Sequence, residues 1–256
     1  MKHDKARETE RYNSGADFIL RFGYSRELPV GANSVPEYLR EPYLKFESEI
    51  KKSLASLGPK PKVLEFGAGT GNYTAIPVLC GAVVTASDLA ESALAVLRDR
   101  YSGFSNLSVA LADIEGTYFS DESFDLIMCA GVLSYGNHDL VLTEVERLLK
   151  PGGFFVCVDS LNHNPIYRLN RYIHFLRGSR TASTLRRMPT LDLLDRYRAR
   201  FESCFVWYFG CVSWLMPFLS RVVGLPSASR LSRCIDRLVS VKGSAFKYVM
   251  TARKMK

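Results

Sequence analysis

A short glycine-rich run, Val63 to Asn72, constrains the fold of this 256-residue chain more than any other feature. It reads Val-Leu-Glu-Phe-Gly-Ala-Gly-Thr-Gly-Asn, so an apolar segment with an acid at Glu65 leads into glycines at positions 67, 69 and 71. Glycine adopts the positive φ of a tight turn, and its missing side chain lets a ligand lie against the backbone. The start of a following helix adds free N–H groups. The run therefore predicts a buried strand, a ligand-contacting turn and a helix.

Short apolar runs alternate with amphipathic stretches along most of the chain. Five runs are predicted to be strands: Val63–Phe66, Ala82–Ser87, Leu107–Ala112, Phe124–Ala130 and Phe154–Asp159. The first, second and fourth of them are each followed by a predicted helical stretch. Two later runs, Cys204–Phe209 and Ala245–Ala252, predict an antiparallel pair at the sheet edge. Strand–helix alternation is typical of parallel sheets with crossover helices. We therefore predict a Rossmann-like α/β fold: a seven-stranded, mostly parallel sheet with helices on both faces.

The segments outside this alternation define the predicted domain organisation. Residues 1–60 are expected to form a helical lid and lead-in, since apolar residues recur at helical spacing from Tyr43 to Leu57 before Gly58 and Pro59. Residues 61–256 form the predicted main domain, with a helical, basic insert at 160–200 after the fifth strand. Pro77 is expected to kink the first crossover helix. Pro151-Gly152-Gly153 is expected to break the chain before the fifth strand.

Three acids follow successive predicted strands at the edge where open α/β sheets bind ligands: Glu65, Asp88 and Asp113. The spacing E-x-G-x-G-x-G differs from the G-x-G-x-x-G of nicotinamide-binding folds. A carboxylate beside the turn suits a ligand with an ammonium group and a sulfonium cation, whereas a pyrophosphate needs no such acid. Each acid alone is more simply a solvated strand end or a helix cap. Together with the glycine turn, they indicate a ligand site.

The order of FGAGTG, SD, AD, FDLIMCAGVLSY and LLKPGGFF is similar to that of the class I S-adenosylmethionine (SAM) dependent methyltransferases, in the branch of quinone-biosynthesis and small-molecule enzymes. The resemblance covers Pro61 to Asp159 closely. It implies SAM as cofactor, S-adenosylhomocysteine as its product and no metal. It implies Glu65 at the amino group of SAM, Asp88 at the ribose, and Asp113 with Ile114 at adenine. The cofactor-binding residues that it implies are Glu65, Gly67, Ala68, Gly69, Gly71, Asp88, Leu89, Asp113, Ile114, Ala130 and Gly131.

Candidate acceptor-side residues follow the fourth and fifth predicted strands. His163 is the first choice for a general base and His138 the second, because histidine titrates in a suitable range. The alternatives are that His138 only caps a helix and that His163 only satisfies a loop carbonyl. The substrate-binding residues predicted beside them are Tyr135, Asn162, Arg168 and Arg171.

The positive charge is concentrated next to these candidates. Residues 160–200 hold nine arginines, no lysine and two acids, which accounts for nearly all of the net charge of +8. Arginine suits bidentate contact with phosphate or carboxylate, although a charge run is often only a solvated face. We therefore expect an anionic acceptor, and the leading hypothesis is O-methylation of a small molecule or glycan precursor such as an acidic or phosphorylated sugar. The basic pI of about 9.2 leaves an RNA or tRNA methyltransferase as an alternative that is not favoured.

Two further hypotheses concern membranes and binding without turnover. Residues 203–220 carry no charge, but Gly210, Ser213 and Pro217 favour a buried strand, a turn and a helix over a membrane span. Peripheral membrane contact through Trp207–Leu219 would suit a quinone or lipid methyltransferase. A SAM-binding protein without turnover is the remaining alternative. The charged N-terminus and six cysteines without metal-ligand spacing predict a cytoplasmic protein with reduced, mostly buried thiols.

Overall fold

The computed structural model describes residues 2–23, 25, 27–28, 31–35, 37–176, 182–212, 215–238 and 241–256. Its centre is one seven-stranded sheet in the order β3-β2-β1-β4-β5-β7-β6. The strands are β1 Lys62–Phe66, β2 Val83–Asp88, β3 Leu107–Leu111, β4 Phe124–Ala130, β5 Leu149–Ser160, β6 Ser203–Phe209 and β7 Lys247–Arg253. Strands β1 to β5 pair in parallel, and β7 pairs antiparallel with both β5 and β6. The predicted fold class is confirmed, including the antiparallel final pair.

Helices flank the sheet and extend from its carboxyl edge. They are α1 Lys2–Phe22, α2 Arg40–Ser56, α3 Ala75–Leu79, α4 Glu91–Arg100, α5 His138–Leu148, α6 Pro165–Leu176, α7 Ala182–Arg186, α8 Leu191–Arg200, α9 Met216–Val223 and α10 Leu225–Leu238. Helix α5 has the best-defined start, because the Asn137 side chain accepts hydrogen bonds from the N–H groups of Asp139 and Leu140. This side-chain cap satisfies two of the amides that a helix start leaves without partners.

The sheet has a core on each face because neighbouring residues of a strand point to opposite sides. Leu64 of β1 packs with residues of α5 and α8 on one face, including Tyr197. Val63 packs with residues of α2 and α3 on the other face, including Phe46. Both partners of the sheet, Tyr197 and Phe46, are almost completely buried. Burying such a side chain contributes roughly 1.5–3 kcal/mol, so both helical layers are held firmly against the sheet.

The N-terminal 60 residues divide into two parts with different roles. Helix α2 belongs to the core, since Phe46 and Ile50 are fully buried against the sheet. Helix α1 lies instead against α4, where Ala16 packs beside Ala93 and Val96. The lead-in is therefore an integral layer of the fold, and the lid consists of α1.

Two local expectations differ from the structure. Strand β5 begins at Leu149 and runs through Pro151-Gly152-Gly153, so the expected break before Phe154 is wrong. The backbone accommodates these residues by a shift in the β4–β5 register between positions 124 and 126. The first crossover helix is only the five residues of α3 around Pro77, which lacks the N–H that helix continuation requires.

The uncharged run after Glu202 forms β6 and then, beyond residue 212, leads into α9. Trp207 is half-buried, and Tyr208, Phe209 and Cys211 are buried. Within the described part of the chain, no helix is both long and apolar enough to cross a membrane. Three of the six cysteines are buried, Cys204 is half-buried, and Cys80 and Cys234 are exposed.

Candidate functional site

A cavity of about 500 Å³ lies at the carboxyl edge of the parallel strands. Its floor includes residues 67–70, which follow β1, and residues 88–90, which follow β2. Residues 130–132 after β4 form one wall. Helix α1 covers it from Lys5 to Ile19, and residues 183, 184 and 187 close one end. The cavity therefore joins the predicted ligand turn to the predicted lid.

The glycine turn leaves backbone exposed to the cavity. Gly67, Gly69 and Gly131 have φ values of +63°, +53° and +71°, which favour glycine. A Cβ atom on Gly67 would lie 2.4 Å from Cγ2 of Val132, so the strand end and the β4 wall require glycine there. Cβ atoms on Gly69 or Gly131 would meet no atom within 4 Å. Because both residues line the cavity, these are positions where a ligand can approach the main chain.

Asp88 is fixed at the carboxyl end of β2 by two backbone donors. Its Oδ2 accepts from the N–H of Gly69 at 2.8 Å, and its Oδ1 accepts from the N–H of Ala90 at 2.9 Å. A carboxylate has about four acceptor sites, so each oxygen retains capacity for a further hydrogen bond. The side chain is thus preorganised to accept from two neighbouring hydroxyls of a ligand. Leu89 and Ile114 also line the cavity and provide apolar contact.

Glu65 lies beneath the glycine turn and is only 3% exposed. Its Oε2 accepts from the hydroxyl of Thr74 at 2.5 Å. Burial raises the pKa of this carboxyl to about 8, because the interior disfavours its charged form. Glu65 and Gly71 support the turn but are not among the residues that line the cavity. A direct contact of Glu65 with a ligand stays a prediction.

Asp113 follows β3 and is held by the lid. Nζ of Lys5 lies 2.6 Å from its Oδ1 and 3.2 Å from Oε2 of Glu115. Asp113 also accepts from the N–H of Glu115 at 3.0 Å. Its contact with the base of a ligand stays a prediction, while Ile114, its neighbour, reaches the cavity.

A polar cluster marks the part of the cavity beside the residues that follow β4. The hydroxyls of Tyr12 and Tyr135 lie 3.0 Å apart, and Nη2 of Arg11 donates to Tyr135 at 3.4 Å. Burial beside Tyr135 raises the pKa of Tyr12, which therefore stays protonated at neutral pH. Arg187 Nη1 donates to the carbonyl oxygen of Tyr135 at 3.1 Å. This cluster can offer both hydrogen-bond donors and positive charge to a second ligand.

Five of the six predicted acceptor-side residues lie outside the cavity lining: His138, Asn162, His163, Arg168 and Arg171. The His163 and Arg168 side chains are exposed to solvent. Arg171 is buried, and its Nη1 donates to the Leu161 carbonyl at 2.9 Å and to Oδ1 of Asn162 at 3.1 Å. These contacts fix the chain as it leaves β5. Tyr135 is the predicted substrate-binding residue that the structure brings to the cavity.

His138, the second candidate base, is the first residue of α5 and is largely buried. Burial lowers the pKa of its imidazole, because the interior disfavours the charged form, while hydrogen bonds with the backbone of Arg187 and Leu133 oppose this shift. The residue is not among those that line the cavity. The catalytic roles of His138 and His163 stay predictions that the geometry does not support.

Sequence patterns did not identify the cavity residues contributed by α1. Glu8, a buried residue of that helix, accepts from the Thr184 hydroxyl at 3.2 Å and pairs with Arg11 at 2.9 Å. Helix α1 is highly charged, so the sequence offered only its identification as a lid. Arg187 was part of the arginine run, but the run did not distinguish it from Arg168.

No group of three His, Cys, Asp or Glu side chains arranged to hold a metal occurs among the described residues.

The central part of the chain is similar to a recognised family. Residues 64–157 match the family model described as "Methyltransferase domain". A demethylmenaquinone methyltransferase of Clavibacter sepedonicus is 34% identical over 113 residues, which are 42% of this chain and 44% of that protein. A malonyl-[acyl-carrier protein] O-methyltransferase of Methylococcus capsulatus is 33% identical over 115 residues, 42% of each chain. The chain thus spans less than half the length of these relatives.

Among solved structures, a putative sarcosine dimethylglycine methyltransferase from Galdieria sulphuraria superposes with a TM-score of 0.60. The match covers 97% of this chain and 98% of that one at 16% identity. A likeness at this identity shows a shared fold. It extends the similarity beyond residues 64–157 to both termini.

Proposed function

We propose that this chain is a class I SAM-dependent methyltransferase that O-methylates an anionic small molecule or glycan precursor, such as an acidic or phosphorylated sugar. The observation that carries the proposal is the single cavity in which the glycine turn, Asp88 and Ile114 share a space with the Tyr12–Tyr135 cluster. One end has the chemistry for SAM and the other has room for an acceptor. The known activities of the similar proteins support methyl transfer as the reaction class.

The described residues fit SAM at the turn end. Gly69 and Gly131 leave space for the methionine part and the sulfonium against bare backbone. The free lone pairs of Asp88 would accept from the two ribose hydroxyls. Ile114 would cover a face of adenine. Glu65, below the turn, would ionise when an ammonium group approaches, because a nearby positive charge lowers the pKa of a carboxyl.

Bound SAM supplies a methyl group activated by its positively charged sulfur. The protein must align the acceptor with that methyl, and positioning alone can contribute ~7–11 kcal/mol. Helix α1 covers the cavity and limits the access of water. The hydroxyls of Tyr12 and Tyr135 face the same space and would orient the acceptor.

An acceptor hydroxyl must lose a proton as its oxygen gains the methyl group. Glu8 lines the cavity, is buried, and is held in place by Thr184 and Arg11. We propose its carboxylate as the base that takes this proton, in place of His163 or His138. General-base catalysis of this kind adds roughly 10²–10⁴-fold to the rate.

Two arginines support an anionic acceptor at the polar end of the cavity. Arg11 and Arg187 both line it, and each approaches Tyr135. Arg187 also forms a loose ion pair with Glu115, with 3.7 Å between Nη1 and Oε1. Guanidinium groups bind carboxylate and phosphate in a bidentate manner.

The first experiment incubates the full chain with methyl-labelled SAM and a panel of sugar acids, sugar phosphates, neutral sugars, quinols and RNA. We expect SAM binding by calorimetry and label transfer to a hydroxyl of an acidic or phosphorylated sugar. Transfer to RNA or a quinol but to no sugar would refute the acceptor class while leaving methyl transfer intact. SAM binding with transfer to none of the panel would favour a SAM-binding protein without turnover.

Charge-removing variants then test the acceptor end. Arg187→Gln should raise the KM for an anionic acceptor about tenfold or more, as expected for loss of a charged hydrogen bond, with SAM affinity unchanged. Arg168→Gln is the matched control, because its side chain is exposed outside the cavity. Equal effects of the two substitutions would contradict a specific anion contact at Arg187.

A further inference from the structure

Helix α6 exposes the apolar side of an amphipathic sequence. Its exposed apolar side chains, with exposed fractions between 38% and 66%, are Ile166, Leu169, Tyr172, Ile173 and Leu176. At ~100° per residue these positions fall within an arc of about 120° around the helix. An amphipathic helix of a globular protein normally turns such a stripe toward the core. Here the stripe faces outward.

The opposite side of α6 is firmly attached to the protein. The Tyr167 hydroxyl donates to the carbonyl oxygen of Gly210 at 2.8 Å, and its ring centroid lies 4.6 Å from that of Phe246. Arg171, on the same side, is buried against the end of β5. The outward stripe is therefore held in its orientation by contacts to the body of the protein.

A second exposed apolar helix follows β6. On α9, Phe218 is 66% exposed and Val222 is 82% exposed, with exposed Arg221 between them. Strands β5 and β6 run in the same direction, since both pair antiparallel with β7. Both segments therefore leave the sheet at its carboxyl edge, the edge that carries the cavity. The bond between Tyr167 and Gly210 joins the bases of the two segments.

The charge in both segments has one sign. Residues 160–191 contain six arginines and no acid, although Arg171 is buried and Arg187 lines the cavity. Residues 203–235 contain three arginines and no acid, and Asp236 follows them. Arg168 flanks the apolar stripe of α6 and is exposed. Apolar side chains in one arc with basic residues beside them are characteristic of helices that lie in the interface of a membrane with anionic lipids. A partner that is anionic at its surface and apolar just beneath it complements both features.

We propose that α6, together with α9, docks the protein peripherally on anionic lipid bilayers. The apolar stripe of α6 enters the region of the headgroups and upper acyl chains, while Arg168 and Arg221 remain at the lipid phosphates. Of the run Trp207–Leu219, residues 207–211 are mostly packed inside the fold, and its end, in α9, belongs to this surface. The proposal does not depend on the reaction that the cavity catalyses.

The test measures binding of the full chain to sedimented vesicles, either pure phosphatidylcholine or phosphatidylcholine with phosphatidylglycerol. We expect binding to the anionic vesicles that weakens with salt. Leu176→Asn should reduce it about tenfold by removing an apolar contact. Leu79→Asn is the matched control, since both leucines are 66% exposed and Leu79 ends α3, away from the carboxyl edge. Arg168→Gln should weaken binding to anionic vesicles about fivefold.

Binding to neither type of vesicle would overturn the proposal, as would equal binding by Leu176→Asn and wild type. Sedimentation velocity tests the other occupant of the stripe. If the wild-type chain binds no vesicles but forms a dimer, and Leu176→Asn dissociates that dimer, the stripe is the interface with a second copy of the chain. Circular dichroism melts of each variant confirm that the fold is retained, and Ile173→Asn provides an independent change in the same stripe.

Discussion

Lys5 Nζ lies 2.6 Å from Oδ1 and 2.5 Å from Oδ2 of Asp113, a residue 108 positions away in the sequence. This ion pair connects the lid helix α1 to the end of β3. Three further contacts hold the same helix: Glu8 with Thr184, Tyr12 with Tyr135, and Asn13 Oδ1 with the N–H of Ser92 at 3.2 Å. The cover of the cavity is therefore fixed between Lys5 and Asn13 by side chains that meet only in the folded chain.

Removing the ion pair should loosen the lid. We expect Lys5→Gln to weaken binding of S-adenosylhomocysteine about fivefold, because a partly exposed ion pair contributes about 1 kcal/mol or less. Calorimetry measures the affinity, and limited proteolysis within α1 reports the opening. Arg7→Gln is the control, as it removes the same charge from an exposed position of the same helix. Unchanged affinity and unchanged proteolysis in Lys5→Gln would contradict a latch at this position.

Asp88 should be the most sensitive residue of the cofactor end. Asp88→Asn replaces one of the two acceptor oxygens by an amide that only donates. The substitution therefore disturbs the contacts to the N–H groups of Gly69 and Ala90, and the side chain can no longer accept from both hydroxyls of a diol. We expect SAM affinity to fall at least tenfold, consistent with loss of ~1.5–3 kcal/mol for a hydrogen bond to a charged group. Asp192→Asn, an exposed substitution on α8, should leave it unchanged.

Alanine substitutions at two glycines with similar backbone conformation distinguish the effect of backbone strain on stability from the effect on SAM binding. Gly131 and Gly81 have φ values of +71° and +78°, and a Cβ on either would meet no atom within 4 Å. Each substitution to alanine should cost about 1–2 kcal/mol of unfolding free energy, measured by denaturant titration. Only Gly131→Ala should also weaken SAM binding, since Gly131 lines the cavity and Gly81 does not. Equal loss of affinity in both variants would point to general destabilisation.

Glu65 should make stability depend on pH. Its pKa is about 8 in the folded protein, above the ordinary value of 4.5, so the folded state holds the proton more tightly than the unfolded state. Its contribution is therefore most favourable below pH 4.5 and is lost progressively as pH rises from about 4.5 to 8. Glu65→Gln cannot ionise, so we expect it to gain stability relative to wild type between pH 5 and pH 8. A difference independent of pH in denaturant titrations would contradict the buried, protonated carboxyl.

The choice of base is testable with two substitutions. Glu8→Gln should lower kcat by roughly 10²–10⁴-fold if its carboxylate accepts the proton, with SAM affinity within about threefold of wild type. His163→Ala should leave kcat nearly unchanged, because its side chain is exposed outside the cavity. The opposite ranking of the two variants would restore His163 as the base.

The sequence by itself determined the central sheet and the cofactor end of the cavity. Strands β1 to β4 and the turn at Gly67 depend on apolar runs and positive-φ glycines, which act over a few neighbouring residues. Asp88 could be placed because parallel strands bring their carboxyl ends to one edge. The sequence also predicts β5 from Phe154 onward. Its earlier start at Leu149 depends on a shift in the register of its pairing with β4, which takes up the two glycines.

Only the tertiary structure decided which residues cover the cavity and which reach the acceptor. Arg168, Arg171 and Arg187 are alike in the sequence, yet the first is exposed, the second supports the end of β5 and the third lines the cavity. Their difference comes from partners such as Tyr135, 52 positions from Arg187. Local patterns encode helix and strand because those depend on neighbours in the chain. Contacts between distant side chains depend on how whole elements pack, and that information appears only when the sheet, its insert and α1 are assembled.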